Sequence, residues 1–527
     1  MAKAITTSKR LIHNTLFNVA TLVSNAVVGF FLIRFFLGQL GEVRYGVWVL
    51  VGSLFRYRGI LSMGLNSAIN RRIPMYLAQD DAQGMQRVIS TAFVFFAGLG
   101  GVLVLLTVLL CVKIGAWFEI PPDLISPATG LVLVVGLCFA VSSPLQLTSA
   151  VLSGLQRYDI TGAVTLTVLT VRTVLLVVLL LRGHGLLTMG LVFGFSEVAT
   201  RALQYGAVGR LLPGVALSRS SVDGALLKDM LFYGVNTFMY ATGALIIAKA
   251  NELVIGVFLG MAEVTRFAVA MAAVLLLTQF LHAFTAAIKP AVSDLDARDD
   301  QGRVRQIAFL TQKYSLLFII PAGCFLVVMG REFLSVWVGE KFPDPAVVDS
   351  LATIVAILAV GHCLMMAQHS NFLVLAGRGE HKVFGILTVL AAVLSVSGSI
   401  ITVRLFGWGL EGIAWSNFVP LAVVSGAILP IYFNRKTKIS ASESVANVWG
   451  PALLGSLPAV ALIALWKQLR PPDNWAELLA VVVVAGTVTF ASAWTLSLDR
   501  TERRRLLAGL GRGPLLAMED PGPPSTG

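Results

Sequence analysis

Charge is scarce in this chain: Asp, Glu, Lys and Arg make up 13% of its 527 residues, about half the fraction of a soluble globular domain. That shortage excludes an ordinary water-soluble surface. Long polar stretches are also lacking, and no segment between apolar runs is long enough to fold as an extramembrane catalytic domain. The four cysteines (Cys111, Cys138, Cys324, Cys363) lie in apolar runs without paired or metal-ligand spacing. They exclude a disulfide framework and a zinc cluster, and read as small buried hydrophobes. A cleavable signal peptide is not expected, because "MAKAITTSKRLIHN" is a basic lead into a full-length apolar run.

What the chain has instead is hydrocarbon. It is 56% hydrophobic with mean hydropathy +0.82, and apolar runs of membrane-spanning length recur from end to end. The pattern predicts an all-α polytopic membrane protein with about 14 spans. The second covers 45–69, and the last two cover 449–466 and 476–496. With the N-terminus placed in the cytoplasm, 24 of the 40 Lys and Arg flank the inner side and 9 the outer side. The positive-inside rule therefore puts both termini in the cytoplasm. The net charge of +12 is accounted for by inner loops, so nucleic acid is not needed as a partner.

The chain also repeats itself at an offset near 222. "FFLGQLGEVRYGV" (Phe35 to Val47) returns as "VFLGMAEVTRFAV" (Val257 to Val269). "LAQDDAQGMQRV" (Leu77 to Val88) returns as "DARDDQGRVRQI" (Asp296 to Ile307), and "LSGLQRYD" (Leu152 to Asp159) as "LAGRGEHK" (Leu375 to Lys382). Six spans separate equivalent points, so the copies run parallel and two six-helix lobes should enclose a central cavity. The expected units are an N-terminal lobe over 1–222, a C-terminal lobe over 223–440, and a helix pair over 441–499. A cytoplasmic tail over 500–527, rich in Pro and Gly, completes the chain and is expected to be disordered.

Polar residues inside the spans are the candidates for function. Asn14, Asn18, Thr21 and Asn25 fall on one stripe of the first span; they could line a cavity or bond neighbouring helices. Thr278, His282, Thr285 and Lys289 repeat the spacing on the eighth and are a candidate counterpart lining. On the second span, taken as one helix, Arg56 shares a face with Gly52, Gly59 and Ser67. Arg58 lies about 200° away. Arg56 is thus the first choice for an anion-binding cation, and Arg58 is expected to pack or pair against another helix. Arg172, with Thr165 and Thr161 on its face, is a second cavity cation; capping by carbonyls is its alternative. Glu197 with Arg201 and Lys249 with Glu252 have the spacing of local ion pairs and are alternatively coupling residues. Arg34 can snorkel to the surface. His362 and His369 share a face that is either a polar wall or satisfied packing. The cationic bias suits an anion such as a phosphate. No catalytic grouping, metal-ligand set or cofactor motif appears.

The stretch "RFFLGQLGEVRYGVWVLVGSLFRYRGILSMGLNSAINRRI" resembles the start of the polysaccharide transporter family. These are bacterial O-antigen and exopolysaccharide flippases of the MATE-like exporter superfamily. The resembling residues are Leu37-Gly38, Tyr45-Gly46-Val47, and Gly64-Leu65 with Ala68. One departure is Ser62, where the family often carries an acidic residue before the Gly-Leu pair. The resemblance implies a non-enzymatic flippase in the inner membrane. It would move an undecaprenyl-diphosphate oligosaccharide from the cytoplasmic to the periplasmic leaflet by alternating access. A polysaccharide polymerase and a chain-length regulator are the protein partners it suggests. The alternatives are a lipid II flippase, a MATE-type cation or drug antiporter, and a membrane glycosyltransferase, polymerase or ligase.

Overall fold

The computed structural model describes residues 7–62, 64–215, 217–285, 288–297 and 301–504, with the side chains of the first helix described from Ala20 onward. Among the described residues the secondary structure is helical, and thirteen helices are long and apolar enough to cross a membrane. Hydrocarbon offers the backbone no partners, so each span satisfies its own amides. The chain is a multi-pass membrane protein.

The first repeat comprises α1 (Thr7–Leu40), α2 (Glu42–Arg56), α3 (Arg58–Leu61), α4 (Leu65–Ala78), α5 (Ala82–Trp117) and α6 (Pro122–Ser142). It continues through α7 (Leu147–Gly154), α8 (Tyr158–Leu181) and α9 (Leu186–Leu211). The second comprises α10 (Gly224–Phe258), α11 (Met261–Thr285), α12 (Ile288–Ala297), α13 (Gln301–Val338) and α14 (Pro345–Ala367). It ends with α15 (His369–Gly377), α16 (Lys382–Arg404), α17 (Gly409–Val423) and α18 (Leu429–Thr437). The repeat is visible in the breaks. The α6–α7 break, a short 3₁₀ turn over Ser143–Gln146, has its counterpart at Gln368 between α14 and α15. After these come α19 (Ala441–Ser444), α20 (Gly450–Leu469) and α21 (Trp475–Ser492). This final pair lies on α13, where Met329 meets Ala459, Ile463, Val481 and Ala485.

Local chemistry marks the ends of the helices. The Asp81, Asp223, Asp344 and Asn474 side chains accept backbone N–H bonds at the starts of α5, α10, α14 and α21. Gly41 (φ +75°) joins α1 to α2, and Gly260 (φ +89°) joins α10 to α11. The two turns face one end of the bundle, called here the Gly41 end; Asp81 lies at the other.

The expected second span is the exception to the count. The segment 45–69 is broken at Tyr57 and again before Leu65, where Gly64 takes φ +74°. No single helix there is long enough to count as a span. Non-helical backbone at membrane depth is tolerated where it lines a cavity or is buried in protein.

At two points this segment touches the second repeat through glycine. A Cβ on Gly46 would stand 1.9 Å from the Met261 carbonyl oxygen, and one on Gly64 would stand 2.5 Å from that of Gly234. Gly46 lies toward the Gly41 end and Gly64 toward the Asp81 end. Between them one core joins both repeats: Leu50, Val51 and Phe55 belong to the same buried cluster as Val264, Phe267, Met271 and Trp337.

Candidate functional site

A cavity of about 540 Å³ lies between α1, α2, α8 and α9 on one side and α10 and α11 on the other. Apolar and aromatic side chains form most of its wall. Phe30 stacks on Trp337 with ring centres 4.5 Å apart, and the Trp337 indole donates to the Phe30 carbonyl at 3.2 Å. Trp48 meets Phe193 edge-on at 5.5 Å.

Four cations and one carboxylate line this space: Arg56, Arg58, Arg172, Lys249 and Glu252. They come from three stretches of sequence that the fold brings together, 56–58, 172 and 249–252, and they differ in how they are satisfied. Arg58 Nη2 donates to Glu197 Oε1 at 3.0 Å, and its guanidinium lies 3.9 Å above the Phe139 ring. The same Glu197 oxygen accepts from Arg201 Nε at 3.0 Å, and Arg201 also donates to Gln204 at 3.3 Å. Lys249 Nζ donates to Glu252 Oε1 at 2.5 Å. Glu252 is fully buried, and the Ser53 hydroxyl of α2 donates to its other oxygen. Arg172 sits 5.2 Å above Phe193. Among the described residues neither Arg56 nor Arg172 has a carboxylate partner, and Arg56 is exposed to the cavity.

Of the other sequence candidates, Asn25 lines the cavity and bonds the Thr21 carbonyl at 2.7 Å. The side chains of Asn14, Asn18 and Lys289 lie outside the described residues. His282 is not among the cavity residues. It is exposed, with its ring 4.4 Å from that of His369, whose Nδ1 lies 3.3 Å from the Tyr240 hydroxyl. His362 is buried and bonds the Leu358 carbonyl at 3.0 Å. Arg34 reaches Glu340 at 2.7 Å and the Val336 carbonyl at 2.9 Å.

Arg58 is the residue whose place in the cavity the helical-phase argument missed. That argument treated 45–69 as one helix, which ends at Arg56 and resumes at Arg58; its expectation that Arg58 pairs against another helix matches the bond to Glu197 on α9. Ser53 and Trp337 were also not singled out. Their roles depend on α10 and α1 packing beside them, which no local spacing reveals.

The Gly41 end of the cavity is closed. Arg266 pairs with Glu42 and Glu263, and the Thr265 hydroxyl donates to the Glu42 carbonyl at 2.6 Å. Glu119 N donates to the Gly256 carbonyl at 2.9 Å. Beyond this closure a second cleft of about 580 Å³ is lined by Glu263, Arg266, Asp344, Trp408 and Glu411.

The fold defines the class as a transporter-like helical membrane protein. An inward-facing multidrug resistance MATE family transporter of the MOP superfamily superposes with TM-score 0.66 at 14% identity, covering 79% of this chain and 94% of its own. Lipid II flippase MurJ, in an inward closed conformation, gives 0.66 at 14% identity over 91% and 98%. An outward-facing MATE transporter gives 0.59 at 15% identity over 82% and 96%. At these identities the likeness is one of fold. Residues 44–347, more than half of the chain, match the model of the family described as polysaccharide biosynthesis protein, and the chain belongs to that family. A probable low-salt glycan biosynthesis flippase, Agl15 of Haloferax volcanii, is 22% identical over 240 residues, 43% of this chain. The match spans about half of that relative's length, 48%.

Proposed function

We propose that the protein is a flippase for a lipid-linked glycan, an oligosaccharide repeat unit on undecaprenyl diphosphate. It passes the head group from the cytoplasmic to the periplasmic leaflet of a bacterial inner membrane during O-antigen or exopolysaccharide synthesis. The observation that carries the reading is the lining of the membrane-embedded cavity, four cations against one carboxylate, with aromatic rings beside them. Guanidinium groups match phosphate oxygens in planar, multidentate geometry, and aromatic faces suit sugar rings. The prenyl chain remains in lipid.

On this reading the Gly41 end is periplasmic, both termini are cytoplasmic, and the lobes 1–222 and 223–440 rock about the cavity in alternating access. The helix pair 441–499 buttresses α13, and 500–527 is a cytoplasmic tail. No covalent step is required, so the protein acts as a carrier, with a polymerase and a chain-length regulator as its neighbours in the pathway. The family, the fold and the named glycan flippase support the class of cargo; the cavity chemistry supports the diphosphate. A lipid II flippase is the second reading, favoured by the same cations and by the MurJ-like fold. A cation or drug antiporter would need the opposite balance of charge in the cavity.

Arg56→Ala and Arg172→Ala test the assignment. Each is expected to abolish surface polysaccharide in a strain lacking the chromosomal copy, while immunoblotting of membranes shows normal insertion. Full polymer export by both variants would refute the site.

A further inference from the structure

The cleft beyond the closure is the feature the flippase reading leaves unused. Its volume, about 580 Å³, falls in the range of small-molecule sites, about 300–1,000 Å³. It lies where the starts of α11, α14 and α17 converge. Glu263 and Arg266 belong both to its wall and to the closure. On the proposed topology it is therefore on the exit side, next to the barrier that a head group must pass.

One wall is aromatic. Trp408 lines the cleft and is 58% exposed. The turn that carries it is fixed. Gly407 (φ +66°) and Gly409 (φ +59°) flank it, both in the left-handed region that favours glycine. Trp408 N donates to the Thr402 carbonyl at 3.2 Å, Gly407 N donates to the Val403 carbonyl at 3.2 Å, and Gly412 N donates to the Trp408 carbonyl at 3.3 Å. The sequence "FGWG" thus builds a tight turn with an indole at its tip. A tryptophan at a span end also suits the membrane interface; what sets this one apart is the polar wall it shares.

That wall has donors and an acceptor to spare. Glu263 is neutralised by Arg266, and Asp344 caps α14 by accepting from Ala346 N at 2.9 Å. Glu411, exposed on the first turn of α17, has no ion pair among the described residues. Since α17 starts without a side-chain cap, its leading backbone N–H groups are open donors. Ser350 adds a hydroxyl that can donate or accept. This set matches a sugar. Ring hydroxyls both donate and accept, and the electron-rich face of an indole attracts the polarised C–H groups of a pyranose. A bare phosphate would instead meet Glu263, Asp344 and Glu411 against one guanidinium, Arg266, which is already doubly paired.

We propose that this cleft is a carbohydrate-binding subsite on the exit side, where a sugar ring of the emerging glycan stacks on Trp408 and hydrogen-bonds Glu411. The inference rests on the flippase reading and extends it: the cavity holds the diphosphate, and the cleft receives the glycan.

The test uses the purified full-length protein in lipid nanodiscs. The probe is the lipid-free repeat-unit oligosaccharide, released by mild acid from the host's own surface polysaccharide and titrated by saturation-transfer NMR. Inorganic pyrophosphate, titrated by calorimetry, reports on the cavity. Wild type is expected to bind the oligosaccharide. Trp408→Leu keeps an apolar side chain at the interface but no ring face, and should bind about tenfold more weakly. Trp408→Tyr keeps a ring and should stay within about threefold of wild type. Glu411→Gln keeps the shape but loses the charge-assisted bond; it should bind about threefold more weakly, and serves if Trp408→Leu does not fold. Pyrophosphate affinity should be the same in all of them. Unchanged oligosaccharide affinity in Trp408→Leu and Glu411→Gln overturns the cleft site. So does a wild type that binds pyrophosphate but no oligosaccharide, and the flippase reading then stands. Absence of binding for both probes overturns both.

Discussion

Substituting Gly46 by alanine tests how the two repeats part. The new Cβ would stand 1.9 Å from the Met261 carbonyl oxygen and 2.7 Å from its carbonyl carbon. Ordinary contact between such atoms needs about 3.5 Å, so α2 and α11 must separate by about 1.5 Å at this point. The obstacle is backbone, and no flexible side chain can swing aside. Overpacking of this kind costs about 1–3 kcal/mol. The penalty falls on the conformation in which α2 and α11 touch, and is absent where they have separated. The closed state should therefore lose population relative to the open one by about 5- to 150-fold. The assay is a single cysteine at Ala272, a cavity residue on α11, in a background lacking Cys111, Cys138, Cys324 and Cys363. Gly46→Ala should raise its rate of labelling by a membrane-impermeant maleimide added from the Gly41 side. Gly64→Ala, which strikes the Gly234 carbonyl toward the other end, should lower that rate. Unchanged labelling in Gly46→Ala, with an unchanged unfolding midpoint, would refute the close approach as a determinant of the closed state.

Two further perturbations follow from shared or buried ion pairs. Glu197→Ala leaves both Arg58 and Arg201 without their carboxylate. Because these side chains remain about a fifth exposed (21% and 18%), the loss should be about 1–3 kcal/mol, less than for a dry pair. Chemical unfolding should show about half of it recovered in Arg58→Met/Glu197→Ala, which leaves Arg201 still without its carboxylate. Glu502→Ala leaves Lys313, 6% exposed, without its carboxylate, with the Ser497 carbonyl at 3.3 Å and the Tyr314 ring at 6.0 Å. That change should cost about 3–5 kcal/mol, read as a lowered unfolding midpoint that Lys313→Met/Glu502→Ala restores.

The sequence made some features legible because they are local. Hydropathy sets span length, and an offset of 222 shows the parallel repeat. The i, i+4 and i, i+3 spacings offered Glu197–Arg201 and Lys249–Glu252 as local ion pairs, with coupling as the alternative role, and both pairs are present in the structure. What remained hidden depends on distant contacts. Glu197 also holds Arg58, and Glu252 also holds Ser53, across 139 and 199 residues of chain. Gly46 and Gly64 stood within the family-like stretch. Their physical reason, a backbone of the other repeat at van der Waals distance, became visible only in the fold. His282 shows the limit of repeat logic. Its spacing copies the asparagine stripe of α1, yet its ring lies tilted against that of His369, and α11 lines the cavity through Ala272, Leu275 and Gln279 instead.

The cavity cations divide into two kinds, and the division has a consequence for how an anion would be held. A bare arginine at membrane depth costs roughly 2.5–3.5 kcal/mol on insertion scales. Arg58 and Lys249 escape much of that cost through Glu197 and Glu252, so in the empty protein they offer little free charge. Arg56 and Arg172 have no such ion pair among the described residues; Arg56 is exposed to the cavity, and Arg172 lies over the Phe193 ring. On the proposed reading these two attract the diphosphate first. The paired cations can join only by leaving a resident carboxylate, Glu252 for Lys249 and Glu197 for Arg58. Tight capture of cargo is then opposed by the loss of internal pairs. A carrier needs that balance, because a site that only bound would not release on the far side.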